Sequence, residues 1–117
     1  MKILLTAINA KYIHSNLAVY TLKAYAKEYG EHIEIGEYTI NHYADDILQD
    51  MYTRKPDVIA FSCYIWNITI IKELILELNK VMPHTPIWVG GPEVSYIAEE
   101  FLAEYPQVKG EIGRAHV

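Results

Sequence analysis

The chain has 117 residues, of which 51% are hydrophobic and 21% charged, and its net charge is −5. This length suits one domain with its own core, and the acidic balance without a Lys/Arg run argues against a nucleic-acid-binding surface. No segment reaches the roughly 18 apolar residues of a membrane span. The single cysteine, Cys63, excludes an internal disulfide and indicates a reducing compartment. We therefore expect a cytoplasmic protein.

The first half of the chain predicts strands that alternate with helices. In chain order the elements are a strand over Ile3–Ile8, a helix over Ser15–Gly30, a less buried strand over His32–Ile40 and a helix over Tyr43–Met51. Ser15 is a suitable N-cap and Gly30 a natural stop for the first helix. We expect a slip in the second strand at Gly36, and the second helix should end before Pro56.

The second half continues the same alternation. Its predicted elements are a strand over Val58–Phe61, a helix capped by Asn67 or Thr69, a strand over Ile87–Val89, a helix from Pro92 to Tyr105 and a strand from near Gln107. The apolar stripe of the helix after Asn67 consists of Ile71, Leu74, Ile75, Leu78 and Val81. Asn67-Ile68-Thr69 also matches a glycosylation sequon, which we take as coincidental.

Short buried strands that alternate with helices predict a parallel sheet covered on both faces. Right-handed crossovers leave few topologies, and at this size the best match is a flavodoxin-like or Rossmann-like three-layer α/β/α fold with strand order 2-1-3-4-5.

The last seven residues, Glu111–Val117, interrupt this pattern where the fifth strand and its helix are expected. Their sequence, EIGRAHV, is also what a widely used sequencing adapter encodes in one reading frame. We therefore expect residues 1–110 to form the domain and residues 111–117 to be a non-native tail. The fifth βα unit would then be truncated, and a downstream domain would be missing.

Three predicted loops meet at one edge of this sheet. They follow strands one, three and four, over Asn9–Ser15, Ser62–Asn67 and Gly90–Glu93. In open α/β sheets, ligands bind at this edge, where the strand order reverses. Taken singly, each loop is better explained as a strand end, a tight turn or packing against the next helix. Their coincidence at one rim favours a binding site.

The residue types in these loops suit a flat, apolar ligand. Gly90 and Gly91 lack Cβ atoms, so a bulky ring can lie against the main chain. The Ser62 hydroxyl can donate a hydrogen bond to a ring nitrogen, and Tyr64 and Trp66 can bury the rest. The chain contains neither G-x-x-x-x-G-K-[ST] nor G-x-G-x-x-G, so the site offers little for a phosphate group.

At these loops the chain resembles the cobalamin (vitamin B12)-binding domain, the Rossmann-like module of cobalamin-dependent methyltransferases and mutases. That family places Ser-x-Leu after the third strand and Gly-Gly after the fourth, and together they enclose the nucleotide tail of the cofactor. Here Ser62-Cys63-Tyr64 stands at the first element, with tyrosine in place of leucine, and Gly90-Gly91 stands at the second. The cofactor-binding residues that the resemblance implies are Asn9, Ala10, Lys11, Tyr12, Ser62, Cys63, Tyr64, Trp66, Gly90, Gly91, Pro92 and Glu93.

The resemblance does not extend to the lower cobalt ligand. Methionine-synthase-like members carry Asp-x-His-x-x-Gly after strand one, and that histidine ligates cobalt. The loop here reads NAKYIHSNLA, with Tyr12 and Leu17 at the flanking positions of His14. His14 is the remaining candidate ligand, although a histidine beside the helix cap Ser15 is more typical of a solvated loop. We therefore expect no metal ligand from the chain.

The stretch NAKYIHSNLAVYTLKAY is similar to the N-terminal domain of cobalamin-binding radical SAM proteins, which generally lack that histidine. In such proteins the domain precedes a barrel that binds S-adenosylmethionine and a [4Fe-4S] cluster on Cys-x-x-x-Cys-x-x-Cys. A single cysteine cannot hold such a cluster. The resemblance therefore implies that the cluster and the catalysis, for which methyl transfer is one suitable reaction, belong to a C-terminal domain in cis, and that these 117 residues alone are not catalytic.

Two other classes of function remain open. The substitution at Tyr64 and the missing histidine motif allow a non-catalytic docking domain that has lost the cofactor, and the same crevice could instead hold a flavin or another small molecule. A response-regulator receiver is disfavoured because Asn9 and Ser62 stand where that fold needs acidic residues. A flavodoxin is disfavoured because Asn9–Ser15 has no glycine for a phosphate loop.

Overall fold

A computed structural model of the chain describes residues 2–9, 32–64, 67–90 and 98–112. At its centre is a five-stranded parallel sheet with the order β2-β1-β3-β4-β5. The strands are β1 (Ile3–Asn9), β2 (Ile33–Thr39), β3 (Val58–Ser62), β4 (Ile87–Gly90) and β5 (Val108–Ile112). The helices of the described residues are α1 (Ala44–Arg54), α2 (Ile68–Val81) and α3 (Ala98–Glu104). The predicted flavodoxin-like, Rossmann-like order is confirmed.

Three strands run one residue beyond the apolar stretches that predicted them. β1, β3 and β4 end at Asn9, Ser62 and Gly90, and main-chain pairing continues to these residues. The ladder joins N–H and C=O groups, so a change from apolar to polar side chains does not end it. β5 begins at Val108, next to the predicted start, and continues to Ile112, past the end that we expected for the native sequence.

The two faces of the sheet carry different clusters, because alternate strand residues point to opposite faces. The helix face is covered by α1, α2 and α3, and its strand residues are Leu4, Ile8, Tyr38, Ile59, Phe61, Ile87, Val89 and Val108. The alanine face carries a second cluster, made by Ile3, Leu5, Ala7, Ile33, Ile35 and Ala60. The predicted helix Ser15–Gly30 lies outside the described residues.

The helices form where the periodicity predicts them. α2 buries four aliphatic side chains, each of which contributes about 1.5–3 kcal/mol; they are Ile71, Leu74, Ile75 and Leu78. Val81, which we assigned to the same stripe, is exposed. α1 ends before Pro56 as predicted, with Lys55 in a left-handed conformation at its C-cap. None of the helices in the described part of the chain combines the length and apolar character needed to cross a lipid bilayer.

β2 is continuous through Gly36, so the slip that we expected there is wrong. Gly36 pairs with Thr6 in a register that is unbroken along the whole strand. A Cβ atom on Gly36 would lie 3.2 Å from both Leu4 Cδ1 and the Tyr38 hydroxyl oxygen. Glycine therefore serves close packing at this position instead of a break in the strand.

Candidate functional site

Main-chain pairing between β1 and β3 stops before the carboxyl edge of the sheet, and the gap between the two strand ends is called the crevice below. The β1–β3 ladder ends with the pair Thr6 and Phe61, whereas β1 continues to pair with β2 as far as Asn9. β3 continues beside β4 through the pair Ser62 and Gly90. The strand order reverses between β1 and β3, and ligands of open α/β sheets bind at such a switch point.

The three predicted strand-end residues share the alanine face of the sheet. Asn9 and Ser62 lie two residues after Ala7 and Ala60, so strand alternation points them to the same face. Ser62 and Gly90 are direct Cα partners on adjacent strands, and Asn9 is buried at the end of β1. The structure therefore places one residue from each of the three predicted loops on the same face at the carboxyl edge, and it pairs two of them, Ser62 and Gly90.

Small side chains line this end of the alanine face. Ala7 and Ala60 present one methyl group each, and Gly90 presents none. At the same level, the helix face carries the larger side chains of Ile8, Phe61 and Val89. The alanine face therefore carries little side-chain bulk at Ser62 and Gly90, although Ala7 and Ala60 are themselves buried.

The described crevice residues Asn9, Ser62 and Gly90 carry no charge. They offer an amide, a hydroxyl and main-chain groups, and none of these three is a Lys or Arg that could neutralise a phosphate. A neutral heterocycle with a hydrogen-bond-accepting nitrogen suits this set of donors.

Asn67 holds the crevice together where α2 begins, although the sequence predicted only a helix cap. The side chain has no exposed surface, and its Nδ2 atom donates to the main-chain oxygens of Ile8 and Ser62 at 3.0 Å each. Its Oδ1 atom accepts a hydrogen bond of 2.7 Å from the Tyr64 N–H. Asn67 occupies the N-cap position of α2, but its side chain makes no capping bond.

The sequon that begins at Asn67 does not fit glycosylation of the folded chain. A glycan is attached through Nδ2, and Nδ2 donates hydrogen bonds to the main-chain oxygens of Ile8 and Ser62. The sequence around Asn67 indicates that its amide is buried, but not which partners the amide finds. Asn67 directly follows the apolar pair Ile65-Trp66, and a buried amide must find hydrogen-bond partners.

Cys63 and Tyr64 continue the chain from Ser62. The Cys63 side chain packs in the helix-face cluster, and the Cys63 main-chain N–H donates to Gly90 O at 2.7 Å. The Tyr64 carbonyl accepts hydrogen bonds from the N–H groups of Asn67 at 3.1 Å and Ile68 at 3.0 Å.

The other predicted site residues lie outside the described residues, and their roles stay predictions. They are Ala10, Lys11, Tyr12, His14, Trp66, Gly91, Pro92 and Glu93. Within the described ranges, no three His, Cys, Asp or Glu side chains are grouped so that they could hold a metal ion.

A separate depression of about 500 Å³ lies between the N-terminal ends of α1 and α2. Its lining residues are Ile40, His42, Tyr43, Ala44, Asp45, Thr69, Ile70 and Glu73. It is open to solvent, and it includes neither Ser62 nor Gly90. The depression is therefore not the site that the three loops predict.

Tyr38 joins the edge strand β2 to α1 on the helix face. Its hydroxyl donates to Asp50 Oδ2 at 2.5 Å, and burial together with this bond raises the pKa of Tyr38 well above its ordinary value. The same hydrogen bond lowers the pKa of Asp50. Arg54 forms ion pairs with both Asp50 and Glu34. This network is structural, since it contains none of the predicted crevice residues.

Comparisons with known proteins agree with the observed fold. The family model described as the B12 binding domain matches residues 3–115. Among solved structures, the chain is similar to a novel cobalamin-binding protein from Desulfitobacterium hafniense DCB-2, with a TM-score of 0.66 and 13% sequence identity over 95% of this chain and 52% of that one. The chain thus spans about half of that neighbour, and the likeness shows the fold. No curated protein is significantly similar in sequence.

Proposed function

The chain belongs to the B12-binding domain family, and from this premise we propose that it binds cobalamin in the crevice between β1 and β3. The nucleotide tail of the cofactor lies on the alanine face. The observation that carries the proposal is the pairing of Ser62 with Gly90 on adjacent strands. This pair unites the two elements between which B12-binding domains enclose the tail.

Each residue of the crevice has a stated part in this proposal. The Ser62 hydroxyl donates a hydrogen bond to the free nitrogen of the tail's benzimidazole, and Gly90 with Gly91 leaves room for the ring. Tyr64 and Trp66 cover the ring from solvent. The residues proposed to line the corrin face or the mouth are Asn9, Ala10, Lys11, Tyr12, Pro92 and Glu93. Bound cobalamin supplies a cobalt centre that can carry a methyl group or another upper ligand.

We propose further that no side chain of this domain ligates cobalt from below. The Asp-x-His-x-x-Gly motif is incomplete around His14. The variant His14→Ala should therefore bind hydroxocobalamin with an affinity within about two-fold of the wild type, a difference of less than about 0.5 kcal/mol. A loss of ten-fold or more in an equilibrium titration would identify His14 as a ligand.

In a longer protein, the domain would present its cofactor to a C-terminal radical SAM domain in the cytoplasm. The proposal is supported by the resemblance of residues 9–25 to such N-terminal domains and by the single cysteine, which leaves the [4Fe-4S] cluster and S-adenosylmethionine to another domain. The coding sequence downstream of this segment tests it. A Cys-x-x-x-Cys-x-x-Cys motif there supports the proposal, and a continuation without one leaves a corrinoid carrier.

Cobalamin binding is tested by titrating the chain with hydroxocobalamin and following the visible absorption bands of the corrin. We expect saturable binding that Gly90→Trp weakens at least ten-fold, because the indole fills the space of the tail. Leu76→Trp is the matched control, since Leu76 is exposed on α2 and away from the sheet; it should bind as the wild type does. A folded wild-type chain that leaves the corrin spectrum unchanged would contradict the proposal, as would unimpaired binding by Gly90→Trp.

A further inference from the structure

We propose that Asn67 is a positioning residue for the nucleotide tail, and that its side-chain amide sets the width of the crevice into which the tail enters. The inference rests on the proposed function and deepens it. Asn67 lies outside the Ser-x-Leu and Gly-Gly elements, and its side chain makes three hydrogen bonds to the main chain around the ends of β1 and β3.

The amide spans the gap that the ladder leaves open. Main-chain pairing between β1 and β3 stops at Thr6 and Phe61. Beyond that pair, the carbonyl oxygens of Ile8 and Ser62 both accept from Asn67 Nδ2, at 3.0 Å each. One planar NH₂ group with two hydrogens in fixed directions thus determines how far apart the two strand ends lie.

The same side chain also fixes the loop that leaves β3. Asn67 Oδ1 accepts from the Tyr64 N–H, and the Tyr64 carbonyl accepts from the N–H groups of Asn67 and Ile68. Both main-chain polar groups of Tyr64 are therefore tied to the start of α2. Ser62 lies two residues before Tyr64. Asn67 therefore holds Ser62 in two ways: directly, through the Ser62 carbonyl, and indirectly, through the loop that follows Ser62.

Asparagine is well suited to this position. The side chain is fully buried, so each polar atom needs a partner within the protein. Aspartate has the same size and keeps an acceptor for Tyr64, but it places an oxygen against the two carbonyl oxygens that Nδ2 now bonds. Glutamine keeps both donors and the acceptor on a side chain that is one methylene longer.

The test compares the affinities of each variant for hydroxocobalamin and for dicyanocobinamide, a corrinoid that lacks the nucleotide tail. The quantity compared is the affinity for hydroxocobalamin divided by the affinity for dicyanocobinamide. In the wild type this ratio should exceed one because the tail adds contacts, and Asn67→Asp should reduce it at least ten-fold. Asn67→Gln, the conservative variant, should reduce it less. It also provides the test if Asn67→Asp does not fold. Leu78→Ala, about three turns further along α2, removes a fully buried side chain and should lower stability without changing the ratio.

The outcomes separate the role of Asn67 from the proposed function. A wild-type chain with a clear preference for the tail, whose ratio is kept in the Asn67 variants, would overturn the positioning role alone. If Leu78→Ala lowers the ratio of the two affinities as much as the Asn67 variants do, general destabilisation would explain the effect. That result would also overturn the positioning role alone. A folded wild type that binds neither corrinoid, or binds both equally, overturns tail binding and the role of Asn67 together.

Discussion

The helix face and the alanine face of the sheet are built from the same strands but have opposite properties at the carboxyl edge. On the helix face, Ile8 and Phe61 are buried under the helices and belong to the continuous core. On the alanine face, their sequence neighbours Ala7 and Ser62 have small side chains and lie beside the gap between β1 and β3. One residue along the strand therefore separates a bulky side chain of the helix-face core from a small side chain beside the proposed site.

Under the proposed function, a small parallel sheet has a core and a binding site at the same level. Strand alternation sends every second residue to the other face, so bulky and small side chains can be chosen independently. Substitutions on the helix face should change the free energy of unfolding, and substitutions at the end of the alanine face should change affinity.

The largest effect on stability is expected for Phe61→Ala. Phe61 is 2% exposed in the helix-face cluster, and removing such a ring should lower the free energy of unfolding by about 3–5 kcal/mol. Urea unfolding followed by circular dichroism measures the change. A loss below about 1 kcal/mol would mean that the helix face is not close-packed at this level.

Ser62→Ala changes the adjacent residue, on the alanine face, and is compared with Phe61→Ala. It should change the free energy of unfolding by about 1 kcal/mol or less and weaken hydroxocobalamin binding by about three- to ten-fold, the range for one neutral hydrogen bond. If Ser62→Ala and Phe61→Ala destabilise the chain equally, or if Ser62→Ala leaves the affinity unchanged, the division between the two faces is wrong.

Gly110→Ala should have an intermediate effect. A Cβ atom on Gly110 would lie 2.6 Å from Trp88 Cζ3, too close for contact, so the indole must move. We expect a loss of about 1–3 kcal/mol and a shift in Trp88 fluorescence, measured in a Trp66→Phe background. Emission and stability identical to those of that background would show that Trp88 does not pack over Gly110.

Tyr38→Phe on the helix face should have a small effect on the free energy of unfolding, about 1 kcal/mol for one partly buried hydrogen bond. The pKa of Tyr38 is raised in the folded chain, so the unfolded chain loses this proton first as the pH rises past the ordinary value of 10.0. The hydroxyl's contribution is therefore fully present below about pH 10 and declines above it. Unfolding of both proteins between pH 8 and about 11 tests this, and a difference that grew with pH would contradict the sign.

The sequence predicted the sheet well, because its strands are apolar runs separated by helices with clear stripes. It placed the ends of β1, β3 and β4 one residue early, since hydrophobicity stops at Asn9, Ser62 and Gly90 while main-chain pairing continues. The slip at Gly36 was a misinterpretation of broken alternation. A glycine has no side chain to contribute to the pattern, and the strand passes through it without a bulge.

The positions of the strand-end residues were predicted in part for similar reasons. The meeting of Ser62 with Gly90 follows from topology alone, because parallel strands end at the same edge. The role of Asn67 could not be predicted, since its Nδ2 bond reaches Ile8, a residue 59 positions away in the chain. Such a contact depends on where the folded strands lie, and no local pattern around Asn67 encodes it.

The measurement that tests the central claim most directly is the contact between the bound nucleotide tail and the two faces of the sheet. In a chain with ¹³C-labelled alanine, isoleucine and valine methyl groups, saturated with hydroxocobalamin, nuclear Overhauser effects from the benzimidazole protons should reach the methyl groups of Ala7 and Ala60. They should not reach those of Ile8 and Val89 on the helix face. Effects confined to the helix-face methyl groups, or bound cobalamin whose benzimidazole reaches neither pair, would contradict the placement of the tail on the alanine face.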